Sequence, residues 1–181
     1  MNFCSGCGYA VQRVIPADDN RLRAVCAQCN TVHYENPKMV LGTIPTYEGR
    51  VLLCRRAIEP RHGFWTLPAG FMELGESTAQ GAIRETIEEA GADIALGRLF
   101  AVFDIPHVDQ VHLFYLAEMR TQALDPGPET LEAALFTEAD IPWEALAFRS
   151  VQMALTHYFE DRRLGIERVH AESITRLAPQ A

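Results

Sequence analysis

The rhythm of apolar and polar residues changes at Asn36-Pro37. Before that point the chain has no long apolar run, and residues 1–36 read as a small module of their own. After it, residues 39–44 and 51–54 read as two strands joined by a turn at Glu48-Gly49. Residues 64–67 read as a further strand, stopped by Pro68, and a loop rich in Gly and Glu follows over residues 70–76. The period then becomes helical. Ser77 is placed as an N-cap, the helix runs to Ala90, and Gly91 serves as its C-terminal glycine. Core strands are predicted at 99–105 and 111–117, a loop at Pro126-Gly127-Pro128, and a short strand at 133–136. Residues 148–163 read as an amphipathic helix with Val151, Leu155, Tyr158 and Phe159 on one side. From Gly165 the pattern is ambiguous, and no internal repeat or low-complexity segment occurs. Strands around separated helices predict an α+β class, or a layered α/β/α arrangement. The expected division is a module at 1–36, a main domain at 37–165 and a tail at 166–181.

Composition narrows this picture. A chain of 181 residues, 48% apolar and 22% charged, fits a soluble domain with one core and a small appendage. No stretch approaches the roughly 18 apolar residues that span a bilayer. The N-terminus lacks a charged region followed by an apolar one, so a soluble, cytoplasmic protein without a signal peptide or membrane partner is expected. The net charge of -8 argues against general nucleic-acid binding, which rests on neutralising phosphates. Small phosphorylated substrates remain compatible with that charge, because a bound divalent cation reverses the local field.

On the predicted helix, Ala79, Ala82, Ile83, Thr86, Ile87 and Ala90 gather on one side. Glu85, Glu88 and Glu89 gather opposite them, within roughly 100° of arc. Gly81 lies one turn earlier on the acidic face and is expected to leave open space there. Like charges at these spacings repel by about 0.2–0.5 kcal/mol per pair. They also sit at the helix end where the macrodipole disfavours them. A solvated acidic face is one reading; a bound Mg²⁺ or Mn²⁺, which prefers carboxylate oxygens, is the other.

Cys4-x2-Cys7 and Cys26-x2-Cys29, separated by 18 residues, have the spacing of a four-cysteine structural zinc site. Disulfides and a redox pair are the competing readings, the first disfavoured in a reducing cytosol. Gly6 and Gly8 help the first knuckle turn. His33 is surplus to the ligand set, and Cys54 reads as a plain buried thiol. Residues 1–38 carry Arg13, Arg21, Arg23 and Lys38 against Asp18, Asp19 and Glu35, which makes no basic patch.

The segment GFMELGESTAQGAIRETIEEAGA, residues 70–92, resembles the Nudix box: Gly70, Glu76, Arg84, Glu85, Glu88, Glu89 and Gly91 match the family pattern. Thr86 and Ala92 stand where that pattern has bulky apolar residues. The resemblance implies an α/β/α sandwich with a mixed sheet, here preceded by a zinc ribbon. It also implies that Glu85, Glu88 and Glu89 hold catalytic Mg²⁺ or Mn²⁺ with help from the Gly70 carbonyl, and that Glu76 supports the site. Arg84 would orient a neighbouring carboxylate. Many members place a further glutamate on a later loop as metal ligand or general base; Glu129 and Glu132 are the candidates, with Glu129 preferred beside the Pro-Gly-Pro loop.

The segments TVHYENPKMVLG, VLLCRRAIEPRHGFWTLPAGF, FDIP, DPGPETLEAALF and IPWEALAF resemble zinc-ribbon Nudix hydrolases that act on FAD and ADP-ribose. FAD would give FMN and AMP; ADP-ribose would give AMP and ribose 5-phosphate. Pro106, fifteen residues past Gly91, agrees with the second. NADH pyrophosphatases share the layout but carry a Ser-Gln-Pro-Trp-Pro-Phe-Pro type motif that residues 93–120 lack. An NADH or NAD-cap pyrophosphatase remains the alternative, and a binding module on a degenerate scaffold a third. Arg55 and Arg56 end a strand near the box loop; one of them is expected to reach the substrate phosphates, bidentate in the manner of guanidinium, and the other to be a solvated surface charge. Phe64, Trp65 and Phe103 are expected to pack in the core or to stack on a base. A homodimer is implied by the resemblance alone.

Overall fold

The computed structural model describes residues 1–175. Residues Met1–Pro37 form one compact unit and the chain from Lys38 forms another.

In the first unit, β1 (Val11–Val14), β2 (Arg23–Cys26) and β3 (Val32–His33) make an antiparallel sheet in the order β1-β2-β3. The two cysteine pairs sit on matching turns. Gly8 N–H donates to Cys4 O (2.9 Å) and Asn30 N–H donates to Cys26 O (2.9 Å). Each turn closes on a left-handed residue, Gly8 at φ 75° and Asn30 at φ 58°. Glycine and asparagine are the types that adopt this conformation cheaply. Only Cys4, Ala24 and Cys26 are fully buried in this unit, so it has almost no apolar core.

The second unit is built on a mixed sheet. Its strands are β4 (Lys38–Tyr47), β5 (Arg50–Arg56), β8 (Ile94–Ile105), β9 (Gln110–Met119), β10 (Thr130–Phe136) and β11 (His170–Ser173). They run in the order β10-β5-β4-β9-β8-β11; short strands β6 (Trp65–Thr66) and β7 (Ala69–Phe71) pair with β5 and β4. The β4–β9 and β8–β11 pairs are parallel and the others antiparallel.

Helix α1 (Thr78–Ala90) and helix α2 (Arg149–Leu164) cover opposite faces. Strand alternation explains how. Leu52 and Cys54 of β5 pack with Ala90 of α1, whereas Val51 and Leu53 pack with Val151 and Leu155 of α2. Similarly, Leu41 and Leu113 meet Ala82, while Ile44 and Phe114 join the α2 side. The result is a three-layer α/β/α sandwich.

The strands at 39–44, 51–54, 99–105 and 111–117 are present, but each runs longer than the apolar pattern alone marks. β7 lies where the pattern predicts a loop: Pro68 ends the previous strand, and only pairing with β4 makes residues 69–71 extended. The tail also differs from expectation. Its described part returns to the sheet as β11, in register with Ala101 to Asp104 of β8.

Candidate active site

α1 begins with a full capping box. Ser77 accepts from Gln80 N–H (3.2 Å), and the Gln80 side chain accepts from Ser77 N–H (2.8 Å). It ends at Gly91, φ 62°, whose N–H donates to Ile87 O (2.7 Å). These ends place the glutamates. The helix is rotated from the orientation its apolar residues predict. Glu85 and Glu89 are each only 9% exposed, while Ile87 is 53% exposed. The reason lies in β7, which runs along the acidic face. Ala69 N–H donates to Glu89 Oε2 (3.0 Å), the Glu85 carboxylate lies over Gly70 where any Cβ would collide with it, and Phe71 O accepts from Arg84 Nη2 (3.1 Å).

Arg84 joins the carboxylates. It donates from Nε and Nη2 to Glu76 (3.0 and 2.8 Å), and from Nη1 to Glu85 Oε1 (2.6 Å) and Glu88 Oε2 (3.0 Å). Such a fork suits guanidinium geometry and not an ammonium. Glu76 is fixed from two sides, since its Oε1 also accepts from Glu73 N–H (2.7 Å). Hydrogen bonds from Arg84 pull Glu76 down to about 2. Burial has the opposite effect on its neighbours: it raises Glu85 above the ordinary glutamate range and pushes Glu89 up to about 7. The space expected beside Gly81 is filled. A Cβ there would meet Leu41 Cδ1 at 2.5 Å and Glu76 Oε1 at 2.6 Å.

Two residues that depart from the box pattern are explained by their surroundings. Thr86 is fully buried, and its hydroxyl bonds to Thr43 Oγ1 on β4 (2.6 Å) and to Ala82 O (2.8 Å). A buried hydroxyl needs such partners, so the polar pair replaces an apolar contact. Ala92 is buried beside Leu52 and Ile94.

The 125–129 loop closes the far end of the helix. Asp125 N–H donates to Ala90 O (2.9 Å), and Gly127 approaches Glu88 O so closely that a Cβ would collide with that carbonyl. Glu129 O accepts from Ala57 N–H (2.8 Å), and the Glu129 charge acts on both Glu85 and Glu89. Glu132 sits elsewhere. It lies on β10 opposite Arg55, with Oε2 3.8 Å from Arg55 Nη1. The two loop candidates thus differ in what they act on: the Glu129 charge is felt by Glu85 and Glu89, and Glu132 pairs with Arg55.

The two arginines divide in the same way. Arg55 also donates to Gly63 O (3.0 Å). Arg56 donates to Pro60 O (2.9 Å), lies over the Phe148 ring (5.1 Å), and its positive charge acts on Glu89. Of the aromatics, Phe103 is fully buried and packs against Phe114 in the core. Trp65 packs edge-on against Phe136 at 4.9 Å, and half-buried Phe64 lies under Arg61 at 5.4 Å. Cys54 is buried beneath α1, and burial raises its thiol far above the usual range.

The cluster therefore gathers Glu76, Glu85 and Glu88 on the Arg84 guanidinium beside buried Glu89, with the charges of Glu129 and Arg56 acting on it from the flanking segments. Hard carboxylate oxygens in negative excess, over a glycine with no room for a Cβ, are a donor set that fits a divalent cation.

In the ribbon, the sulfurs of Cys4, Cys7, Cys26 and Cys29 all lie within 4.8 Å of one another. The Cys4–Cys29, Cys7–Cys26 and Cys7–Cys29 separations are 3.6, 3.4 and 3.5 Å. A zinc tetrahedron with bonds of about 2.3 Å has edges of about 3.8 Å, whereas a disulfide needs about 2.05 Å. The set fits zinc. His33 is more than a bystander: its Nε2 stands 3.3 Å from Cys4 Sγ, and Thr31 Oγ1 stands 3.1 Å from Cys29 Sγ. Hydrogen bonds from Thr31 lower the Cys29 thiol, while those with Cys26 and Cys29 raise that of Cys7, as expected of sulfurs crowded together without an ion.

Comparison with known proteins agrees with this architecture. The family description Nudix N-terminal, a zinc ribbon, matches residues 2–35, and the NUDIX domain matches residues 39–156. A solved NUDIX hydrolase from Nitrosomonas europaea is 46% identical, with a TM-score of 0.94 over 97% of this chain and 100% of that one. The NAD-capped RNA hydrolase NudC of Photobacterium profundum is 31% identical over 141 residues, 77% of this chain and 50% of that protein. The putative ADP-ribose pyrophosphatase YjhB of Bacillus subtilis is 34% identical over 116 residues, 60% of this chain and 54% of that protein. The chain spans about half the length of these curated relatives. With a family match over most of its length and a carboxylate cluster on the matching helix, the chain belongs to the Nudix hydrolases, in the branch that carries a zinc ribbon in front.

Proposed function

We propose that this chain hydrolyses the diphosphate linkage of a small nucleotide, with FAD and ADP-ribose as its substrates. The observation that carries the reading is the Arg84-centred cluster, in which one guanidinium holds Glu76, Glu85 and Glu88 beside buried Glu89. In this reading Glu85, Glu88 and Glu89 hold Mg²⁺ or Mn²⁺, with the Gly70 carbonyl and Glu76 in support. Held there, the ion would supply charge neutralisation for the phosphate oxygens and the leaving phosphate, and would make water acidic enough to act as a nucleophile.

Other residues orient and move protons. Arg84 keeps the carboxylates in position, a task that costs nothing at the moment of reaction because the guanidinium is already bound. Glu129 accepts the proton of the attacking water. Its place on the loop that caps α1 supports this role over Glu132, which Arg55 engages. Arg56 contacts the substrate phosphates, since its charge already reaches Glu89. Arg55 serves the rim. Water adds to one phosphorus and the bridging P–O bond breaks, so FAD gives FMN and AMP, and ADP-ribose gives AMP and ribose 5-phosphate.

A second reading rests on the relatives named NAD-capped RNA hydrolase. It also stands against the expectation of no nucleic-acid substrate. The chain lacks the Ser-Gln-Pro-Trp-Pro-Phe-Pro type motif in residues 93–120, which favours the first reading. The test is a product assay with Mg²⁺ on FAD, ADP-ribose, NADH and NAD-capped RNA. AMP from FAD or ADP-ribose is expected; cleavage confined to NADH and NAD-capped RNA moves the assignment to the second reading.

A further inference from the structure

A second group of donor atoms lies far along the chain from the glutamate helix, where β11 joins the sheet edge. Among the described residues β11 has one sheet neighbour, β8, and meets it over four residues. From β11 come His170 and Glu172, and from α2 comes His157. One ligand atom from each of the three lies within 4.8 Å of the others.

Each imidazole is in an unusual state. Both ring nitrogens of His157 are buried, and neither has a hydrogen-bond partner among the described residues. Glu172 Oε1 stands 2.6 Å from His157 Nε2, but out of line for a hydrogen bond. Buried polar atoms are nearly always satisfied, so His157 has bonding capacity that its contacts within the chain leave unused. His170 is fixed through its other edge. Its Nε2 donates to Asp161 Oδ2 (2.8 Å), and Asp161 is in turn held by Arg168 (2.9 Å). A carboxylate accepting from Nε2 leaves the lone pair on Nδ1. Metal-ligating histidines are oriented in this manner, by an outer carboxylate on the opposite nitrogen.

We infer that His157, His170 and Glu172 form a site for a divalent cation of the zinc class, which ties β11 to α2. Two imidazole nitrogens and one carboxylate oxygen suit zinc and its neighbours better than magnesium, which takes oxygen ligands. The rings are stacked, with centroids 4.0 Å and planes 12° apart. Two donors on one zinc, at bonds of about 2.0–2.1 Å, stand about 3.3 Å apart, so a shared ion needs Glu172 to draw back from His157 and one ring to turn; His157, whose nitrogens make no aligned hydrogen bond, is that ring. The ion restrains the last described strand and is separate from both the ribbon thiols and the α1 carboxylates.

Zinc stoichiometry tests this. The full chain with Glu85→Gln and Glu89→Gln, which removes competing carboxylates, is equilibrated with zinc and dialysed before metal analysis. Two zinc ions per chain are expected, one in the ribbon and one here. Adding His157→Asn, or Glu172→Gln at the half-exposed carboxylate, is expected to leave one. Zinc is also expected to slow amide exchange in His170–Ser173 of the background chain and not in either variant. A single zinc in the background chain, or a second that survives both substitutions, overturns the inference.

Discussion

Glu129 and Glu132 are three residues apart and differ in what they face. The Glu129 charge acts on Glu85 and Glu89, while Glu132 is 3.8 Å from Arg55. A general base contributes about 100- to 10,000-fold. Glu129→Gln is therefore expected to lower kcat by about 100-fold or more, whereas Glu132→Gln changes it by only about 3-fold. Steady-state kinetics on AMP release measures both; equal losses would remove the distinction. Glu89 supports a different prediction. Burial pushes it up to about 7 from an ordinary 4.5. An acid with a raised folded-state value contributes stability that is present below its unfolded value and lost as pH rises through the folded one. Without divalent ions, the protein is thus expected to lose stability between about pH 4.5 and about pH 7 through this group. Glu89→Gln is expected to make the metal-free protein about 1–3 kcal/mol more stable above that window. Denaturant melts across pH check the sign. Mg²⁺ is expected to restore stability to the original chain only, by the usual binding linkage.

At the scale of elements, the site depends on two segments pressed against α1. β7 supplies Ala69 N–H, the Cβ-free Gly70 and Phe71 O on one side; Gly127 approaches Glu88 O at the other end. Gly127→Ala sets a Cβ against a helix carbonyl, which cannot give way as a flexible side chain can. The loop with Glu129 is expected to move outward, so that kcat falls more than ten-fold while the fold costs about 1–3 kcal/mol. A kcat loss no larger than the stability loss implies would contradict this. These contacts also mark where the sequence is hard to read. The capping box at Ser77 and the left-handed Gly91 follow local rules, and both helix ends are legible from them. β7 is hidden behind Pro68 because its extended form comes from pairing with β4. The rotation of α1, which exposes Ile87 and buries Glu85, is hidden for the same reason. Apolar periodicity assumes that carboxylates face water; Glu88 does, but Glu85 and Glu89 face a strand backbone.

At the scale of the molecule, two units solve the stability problem differently. The chain from Lys38 has apolar cores on both faces of its sheet. The ribbon buries only Cys4, Ala24 and Cys26, two of which are metal-ligand candidates. A unit of this kind folds on its ion. Cys7→Ser with Cys29→Ser is expected to abolish amide protection across residues 1–37 while β4, β5 and β9 keep theirs. Protection retained in the ribbon would contradict a zinc-dependent fold. The cysteine spacing and the box are readable because their ligands are close in sequence. The His157–His170–Glu172 group is not, because it forms only when a tail of ambiguous pattern returns as a parallel strand. No described helix is long and apolar enough to cross a membrane.

The central claim is that diphosphate hydrolysis belongs to the glutamates of α1. The direct measurement is AMP release from FAD and ADP-ribose with Mg²⁺, for the original chain and for Glu89→Gln, alongside a circular dichroism spectrum of each. Turnover by the first, a loss of about 100-fold or more in the second, and matching spectra are predicted. Full turnover by a folded Glu89→Gln chain, or none by the original on any diphosphate, would contradict the account.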